Sequence, residues 1–129
     1  MGQKKPISVV AKMLSTFNAT ATESNVTGTS APCPEDGYYD IECAFTEFSI
    51  AGTTGYEGIG IDNLLQEDTL KRRENASGGN QFVPRSISYS AYLKSDQVVT
   101  LRVQESVGNL QIYVGSDSVN YLKITKRGT

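Results

Sequence analysis

The chain has 129 residues, with 12 basic and 14 acidic side chains and a net charge of −2. This length suits one domain with a full core, and the small acidic surplus argues against general nucleic-acid binding, which favours a basic surface. The chain has no histidine, which excludes Ser-His-Asp and Cys-His catalysis and imidazole zinc sites. We therefore expect a protein that is not an enzyme and needs no cofactor.

The first residues, MGQKKP, contain two lysines and no apolar segment, so they lack the composition of a secretory signal. No apolar run approaches the ~20 residues that a membrane helix needs. We expect residues 1–6 to form a polar arm, followed by one folded domain at 7–129, and we expect no membrane contact.

Strand signals begin directly after this arm. Apolar residues alternate from Ile7 to Met13, which predicts a strand with one buried side. The Thr/Ser/Asn-rich stretch from Ser15 to Ser30 predicts one irregular strand and a loop. A second strong run spans Tyr38 to Ile50, in which one parity holds Tyr39, Ile41, Cys43 and Phe45.

In this second run the apolar parity then shifts to Phe48 and Ile50, which predicts a β-bulge near Thr46-Glu47. The next alternating pair is Ile59 and Ile61, and the small Gly58 and Gly60 on the opposite side predict close packing there.

Residues 63–75 are ambiguous between a short helix and a hairpin across Gln66–Asp68. This segment contains the only basic cluster, Lys71-Arg72-Arg73, which we interpret as part of a solvated loop because acidic residues flank it. Gly78-Gly79-Asn80 is a clear break.

The strongest strand signals lie in the last third, where turn residues separate short alternating runs. The apolar side of these runs holds Ile87, Tyr89, Ala91, Leu93, Val99, Leu101, Val103, Leu110, Ile112, Val114, Leu122 and Ile124. About eight short strands at this spacing predict an all-β, eight-stranded jelly-roll sandwich.

Three segments carry a recognisable pattern: TSAPCPEDGYYDIE (Thr29–Glu42), SAYLKSDQVVTLRVQE (Ser90–Glu105) and NYLKITKRG (Asn120–Gly128). Together they resemble the jelly rolls shared by tumour necrosis factor and the complement globular-head domains, and the last is in a form similar to phage and viral fibre proteins. Their order and spacing fit from about Ile7 to Lys126, so the resemblance covers nearly the whole chain.

The resemblance implies a homotrimer. Seven tyrosines without tryptophan suit an interface, because tyrosine buries area and keeps a hydroxyl for hydrogen bonding. The candidate trimer-contact residues are Tyr89, Tyr92, Tyr113 and Tyr121.

Two sets of residues could carry chemistry. The carboxylates of Glu35, Asp36, Asp40 and Glu42 cluster in the sequence, and calcium sites occur in some domains of the resembled family, but solvated carboxylates are the simpler interpretation and we predict no metal. Cys33 and Cys43 would indicate one disulfide in a secreted chain, but since the start lacks a signal peptide we expect reduced thiols, with Cys43 packed in the core.

These observations lead to three hypotheses. The first is a virion structural protein, a trimeric capsid decoration protein or head fibre that docks on the major capsid protein or another virion protein through Gln3, Lys4, Lys5 and Pro6. The second is the receptor-binding tip of a tail fibre or spike, with contact loops at Asn75–Asn80 and Gly52–Gly55. The third is a calcium-dependent sugar-binding module.

Overall fold

The computed structural model describes residues 7–49, 53–75, 81–105, 110–115 and 120–128. Over these ranges the chain is all-β, and two antiparallel sheets form a β-sandwich. The strands are β1 (Ser8–Lys12), β2 (Phe17–Asn18), β3 (Ser24–Asn25), β4 (Ala31–Pro32), β5 (Gly37–Ser49), β6 (Thr53–Ile61), β7 (Leu64–Leu65), β8 (Lys71–Asn75), β9 (Gln81–Leu93), β10 (Val98–Glu105), β11 (Leu110–Ile112) and β12 (Tyr121–Lys126).

The first sheet, called sheet A, is organised around β5. Along its whole length β5 pairs with β9, and on its other side it pairs with β12 and then β11, beyond which lie β1 and β2. In the second sheet, called sheet B, β10 pairs with β6 on one side and with β3 and β4 on the other, while β7 and β8 extend the sheet beyond β6.

The core lies between the two sheets and consists of the alternating apolar residues of both. Tyr39, Ile41, Cys43 and Phe45 of β5 are buried, as the alternation predicts. The predicted inward residues of the last third behave in the same way, and those with no exposed surface include Leu101, Val103, Leu122 and Ile124. Removal of this apolar area from water is the main term that stabilises the sandwich.

The predicted β-bulge near Thr46-Glu47 is wrong. The pairing of β5 with β9 runs without interruption from Gly37↔Leu93 to Ser49↔Gln81. The parity therefore never changes: Glu47 continues the inward row and is 1% exposed, whereas Phe48 points outward. The apparent shift arose because an acidic residue occupies a core position and an aromatic residue occupies an outer one.

The described residues form twelve strands, where the sequence predicts about eight, and four of them have only two residues. Two-residue strands are too short to produce an alternating pattern.

The ambiguous segment 63–75 is neither of the simple alternatives: β7, a 3-10 helix at Glu67–Thr69 and β8 follow one another. Lys71-Arg72-Arg73 begins β8, which pairs with β6, so its interpretation as a loop is wrong.

The turn between β6 and β7 is a tight two-residue connection. Asp62 and Asn63 both have positive φ, 51° and 67°, as a type I′ hairpin turn requires. Asp62 Oδ1 accepts a hydrogen bond from the Val98 backbone N–H at 2.9 Å, and Asn25 Nδ2 donates to Asn63 Oδ1 at 2.6 Å. These bonds fix the turn against β3 and β10.

Candidate assembly surface

The outer surface of sheet A, called face A, collects the residues of opposite parity to the core because side chains alternate along each strand. Its residues are Ser8, Val10 and Lys12 of β1, Tyr38, Asp40, Glu42, Ala44, Thr46 and Phe48 of β5, Phe82, Pro84, Ser86, Ser88, Ser90 and Tyr92 of β9, Gln111 of β11 with the following Tyr113, and Tyr121, Lys123 and Thr125 of β12. Face A is therefore defined by the register of five strands.

Aromatic residues occupy both ends of face A. At one end the cross-strand pair Tyr38 and Tyr92 packs edge to face, with ring centroids 5.1 Å apart. At the other end Phe82 packs against Phe48 at 4.6 Å and against Tyr113 at 5.1 Å. Several of these rings remain open to solvent: Tyr38 is 60%, Phe82 59% and Tyr92 50% exposed. Exposed aromatic groups of this kind are typical of protein interfaces.

Beside the Tyr38–Tyr92 pair lies a hydrogen-bonded group of polar side chains. Ser90 Oγ donates to Asp40 Oδ1 at 2.8 Å, and Arg127 Nη2 donates to the same Asp40 oxygen at 2.7 Å and to Ser90 Oγ at 3.0 Å. These bonds from Arg127 and Ser90 lower the pKa of the Asp40 carboxyl, and the same carboxylate raises the pKa of Arg127. The group is ionised at neutral pH and well satisfied, so it offers no reactive atom.

Tyr121 lies near the centre of face A on β12. Its hydroxyl donates to Glu42 Oε2 across a long 3.5 Å contact. Burial first, and then the charge of Glu42, raise the pKa of Tyr121. The phenol is therefore neutral and can act as a hydrogen-bond donor throughout the physiological range.

The outer surface of sheet B is covered by polar side chains that bind one another. The Arg102 side chain, 12% exposed, lies over Gly60 and is held by Glu23 and Asn25 at strand β3. Tyr56 adds a hydrogen bond from its hydroxyl to Glu23 Oε1 at 2.9 Å. This surface is a satisfied polar network, whereas face A exposes aromatic groups.

The structure separates the four predicted interface tyrosines. Tyr92, Tyr113 and Tyr121 lie on face A, but Tyr89 has the inward parity and packs against the core from the edge of the sandwich. The predicted docking residues Gln3, Lys4, Lys5 and Pro6 lie outside the described residues. Of the predicted receptor loops, Thr53–Gly55 belongs to β6 and Asn75 ends β8, while 52 and 76–80 lie outside the described residues.

A buried charged cluster at one end of the core was missed by sequence reasoning. Glu47 of sheet A and Glu57 and Glu105 of sheet B are at most 1% exposed. Arg85 Nε lies 2.7 Å from Glu47 Oε1 and 3.5 Å from Glu57 Oε1, so its guanidinium connects the two sheets. Glu105 Oε1 accepts the Thr54 backbone N–H at 2.8 Å. An unbroken inward parity from Tyr39 to Glu47 was the available signal.

The predicted acidic cluster is dispersed onto separate partners. Glu35 Oε2 accepts Lys126 Nζ at 2.6 Å, and Asp36 Oδ1 accepts the Ser95 backbone N–H at 2.7 Å. Asp40 binds Arg127, and Glu42 is contacted by Tyr121. Within the described ranges, no three Asp, Glu, Cys or His residues come together in a way that could hold a metal ion.

Both cysteines are buried free thiols. Cys33 Sγ donates to the Glu35 carbonyl at 3.1 Å. Cys43 lies in the core row of β5, where burial and the nearby charge of Glu57 raise the pKa of its thiol. Neither thiol has the solvent access that a reactive cysteine needs.

No family model matches the chain, and no curated protein is significantly similar to it. In the part of the chain that the structure describes, no helix is long and apolar enough to cross a membrane.

Proposed function

We propose that this protein is a non-enzymatic structural component of a virus particle, a homotrimeric capsid decoration protein or head fibre with one jelly roll per copy. The observation that carries the proposal is face A, a continuous sheet surface whose two ends expose Tyr38, Tyr92 and Phe82. Such a surface is costly to leave in water and is stabilised when another protein covers it.

The strand order supports the jelly-roll part of the proposal. At the end of sheet A that contains β1, the strand order across the sheet is β1-β12-β5-β9. Without the two-residue strands β3 and β7, the order across sheet B is β4-β10-β6-β8. Each sheet thus mixes strands from both ends of the sequence, as a double Greek-key sandwich does. The viral assignment rests on the resemblance of Asn120–Gly128 to the last strand of viral fibre proteins.

The association is tested by mass measurement under native conditions. We expect a species of three times 14.0 kDa, and a clean monomer at micromolar concentration would contradict the trimer. Phe82→Ser should weaken the trimer because it removes the ring shared by the Phe48 and Tyr113 contacts. Leu64→Ser is the matched control, since Leu64 is 69% exposed but belongs to sheet B, and it should leave the trimer intact.

The virion role is tested separately. Peptides of this chain should be found by mass spectrometry in purified particles of the virus that encodes it, and the isolated protein should bind particles that lack it. A protein that binds host cells and ignores such particles would instead support the receptor-binding tip. Ligand binding that is lost on chelation would support the sugar-binding module.

A further inference from the structure

We infer that the copies associate through two different halves of face A, with the acidic half of one copy against the basic half of the next. The inference rests on the proposed homotrimer and specifies how its copies meet. The acidic half is the outer surface of β5 and β9, and the basic half is the outer surface of β1 and β12.

The charges of face A divide between these halves. The acidic half carries Asp40 and Glu42 on β5, and Arg127 is paired with Asp40, so two carboxylates and one guanidinium leave it a net charge of −1. The outer side of β9 adds no charge between the aromatic ends, only serines and a proline. The basic half carries Lys12 on β1 and Lys123 on β12, next to Val10, which is 49% exposed. Opposite charges on two patches of one surface favour contact between copies and disfavour like-charged contacts.

A closed ring of three copies needs this kind of arrangement. In a cyclic trimer each interface is heterologous, so every copy must present two different patches that complement one another. Face A presents both patches side by side, and three such faces can surround one axis. The two halves then alternate around that axis, and each acidic half meets a basic half.

The shape of face A also fits a second copy. The small side chains of Ser86, Ser88 and Ala44 form a low central strip between the two aromatic ends, which lie roughly 33 Å apart for ten residues of strand. A neighbouring sheet can approach closely over such a strip. From strand spacing and rise, face A covers roughly 700 Å², so each half offers about 350 Å² to one neighbour, and the two contacts of a copy together cover nearly the ~800 Å² that one partner buries in a standard interface.

The charge pairing is tested with Glu42→Lys, Lys12→Glu and the double variant. Lys123 is not used, because it is the direct cross-strand neighbour of Glu42 within one copy. Lys12 lies two strands away from β5, so its pairing with Glu42 inside a copy is weak. Each single variant should raise the trimer dissociation constant by at least about tenfold, and the double variant should restore most of the wild-type value. All are measured by sedimentation at low salt.

Two controls separate charge and shape from loss of folding. Asp68→Lys reverses an exposed charge of the 3-10 helix beside sheet B and should leave association unchanged. Ser88→Trp should block the central strip, whereas Ser88→Ala should not, and the circular dichroism of every variant should match the wild type.

The outcomes are distinct. If the single variants assemble like the wild type, or if the double variant does not regain the wild-type dissociation constant, the pairing of the two halves is overturned while the proposed trimer is not. A monomeric wild type overturns the proposed trimer itself. A wild-type dimer with the expected charge effects supports the pairing and overturns the three-fold ring.

Discussion

The Arg85 guanidinium lies between carboxylates that belong to opposite sheets, in a region from which water is largely excluded. Its side chain is 28% exposed, while Glu47 and Glu57 beside it are almost fully buried. Buried ion pairs contribute little net stability compared with apolar residues, but the loss of one partner leaves the other charge in a low-dielectric surrounding. At the residue scale, this cluster is where single substitutions should be most damaging.

Arg85→Met should lower the free energy of unfolding by about 3 kcal/mol, because the Glu47 and Glu57 carboxylates lose the cation between them. The measurement is urea unfolding at neutral pH. Lys126→Met is the control, since Lys126 pairs with the half-exposed Glu35 away from face A, and it should change stability little. Equal losses in the two variants would contradict the assignment of Arg85 as the link between the sheets.

Because the Tyr39 phenol is buried, we expect the protein to lose stability at alkaline pH. The Tyr39 hydroxyl donates to the Glu35 carbonyl at 2.8 Å, and burial, followed by the contact with Cys33, raises the pKa of Tyr39 from 10.0 to about 12. In the unfolded chain the phenol ionises near its ordinary value, so the stabilisation is fully present below pH ~10 and is lost as the pH rises towards ~12.

Tyr39→Phe should therefore show a smaller fall in stability between about pH 9 and about pH 11 than the wild type does, measured by urea unfolding at both values. Its stability at neutral pH should drop by about 1 kcal/mol, since one hydrogen bond is lost. Tyr38→Phe, at a position that is 60% exposed, should keep the wild-type pH dependence. An unchanged slope in Tyr39→Phe would show that another group governs the alkaline transition.

At the element scale, β6 is unusual because two successive positions of its outer side, Gly58 and Gly60, are glycine where other strands carry side chains. A Cβ on Gly58 would lie 2.6 Å from Leu65 Cδ1, and a Cβ on Gly60 would lie 2.6 Å from Arg102 Cδ. The glycines therefore let β7 and the Arg102 side chain lie directly on the backbone of β6. This explains why a strand with two glycines has a stable place in the sheet.

Gly60→Ala should destabilise the fold by about 1–3 kcal/mol, because Arg102 is held by Glu23 and Asn25 and cannot move aside freely. Gly37→Ala is a matched control: its Cβ would meet only the end of the Lys126 side chain at 2.5 Å, which is flexible and can shift. Thermal unfolding compares the two. A smaller effect for Gly60→Ala than for Gly37→Ala would contradict the role of Arg102 as a fixed cover.

At the scale of the whole molecule, the two outer surfaces have opposite characters. Sheet B carries the Arg102 network and the β7 segment, whereas face A carries exposed rings and charges of both signs. A trimer that covers face A links folding to association, because only the folded copy can bind. The stability of the protein should therefore depend on its concentration.

The melting temperature of the wild type should rise when protein concentration increases by about a hundredfold across the dissociation constant. Differential scanning calorimetry measures this at constant pH and salt. Phe82→Ser should show a weaker dependence, and Leu64→Ser should follow the wild type. A melting temperature that is independent of concentration over this range would contradict coupled folding and association.

The sequence by itself determined the all-β class and the inward side of most strands. Alternation is a local property, because side chains of neighbouring residues must point to opposite sides of a strand. Ile41 and Phe45 of β5, like Leu101 of β10 and Ile124 of β12, could therefore be placed in the core without knowing which strands pair.

Only the tertiary structure decided the partners of each strand and the environment of each outer side. Glu47 was misinterpreted because a carboxylate can enter the core only when a residue distant in sequence, here Arg85, lies beside it. Tyr89 and Tyr92 look equivalent in the sequence, yet one packs on the core and the other lies on face A. Pairing and covering depend on contacts between distant segments, and no local pattern encodes them.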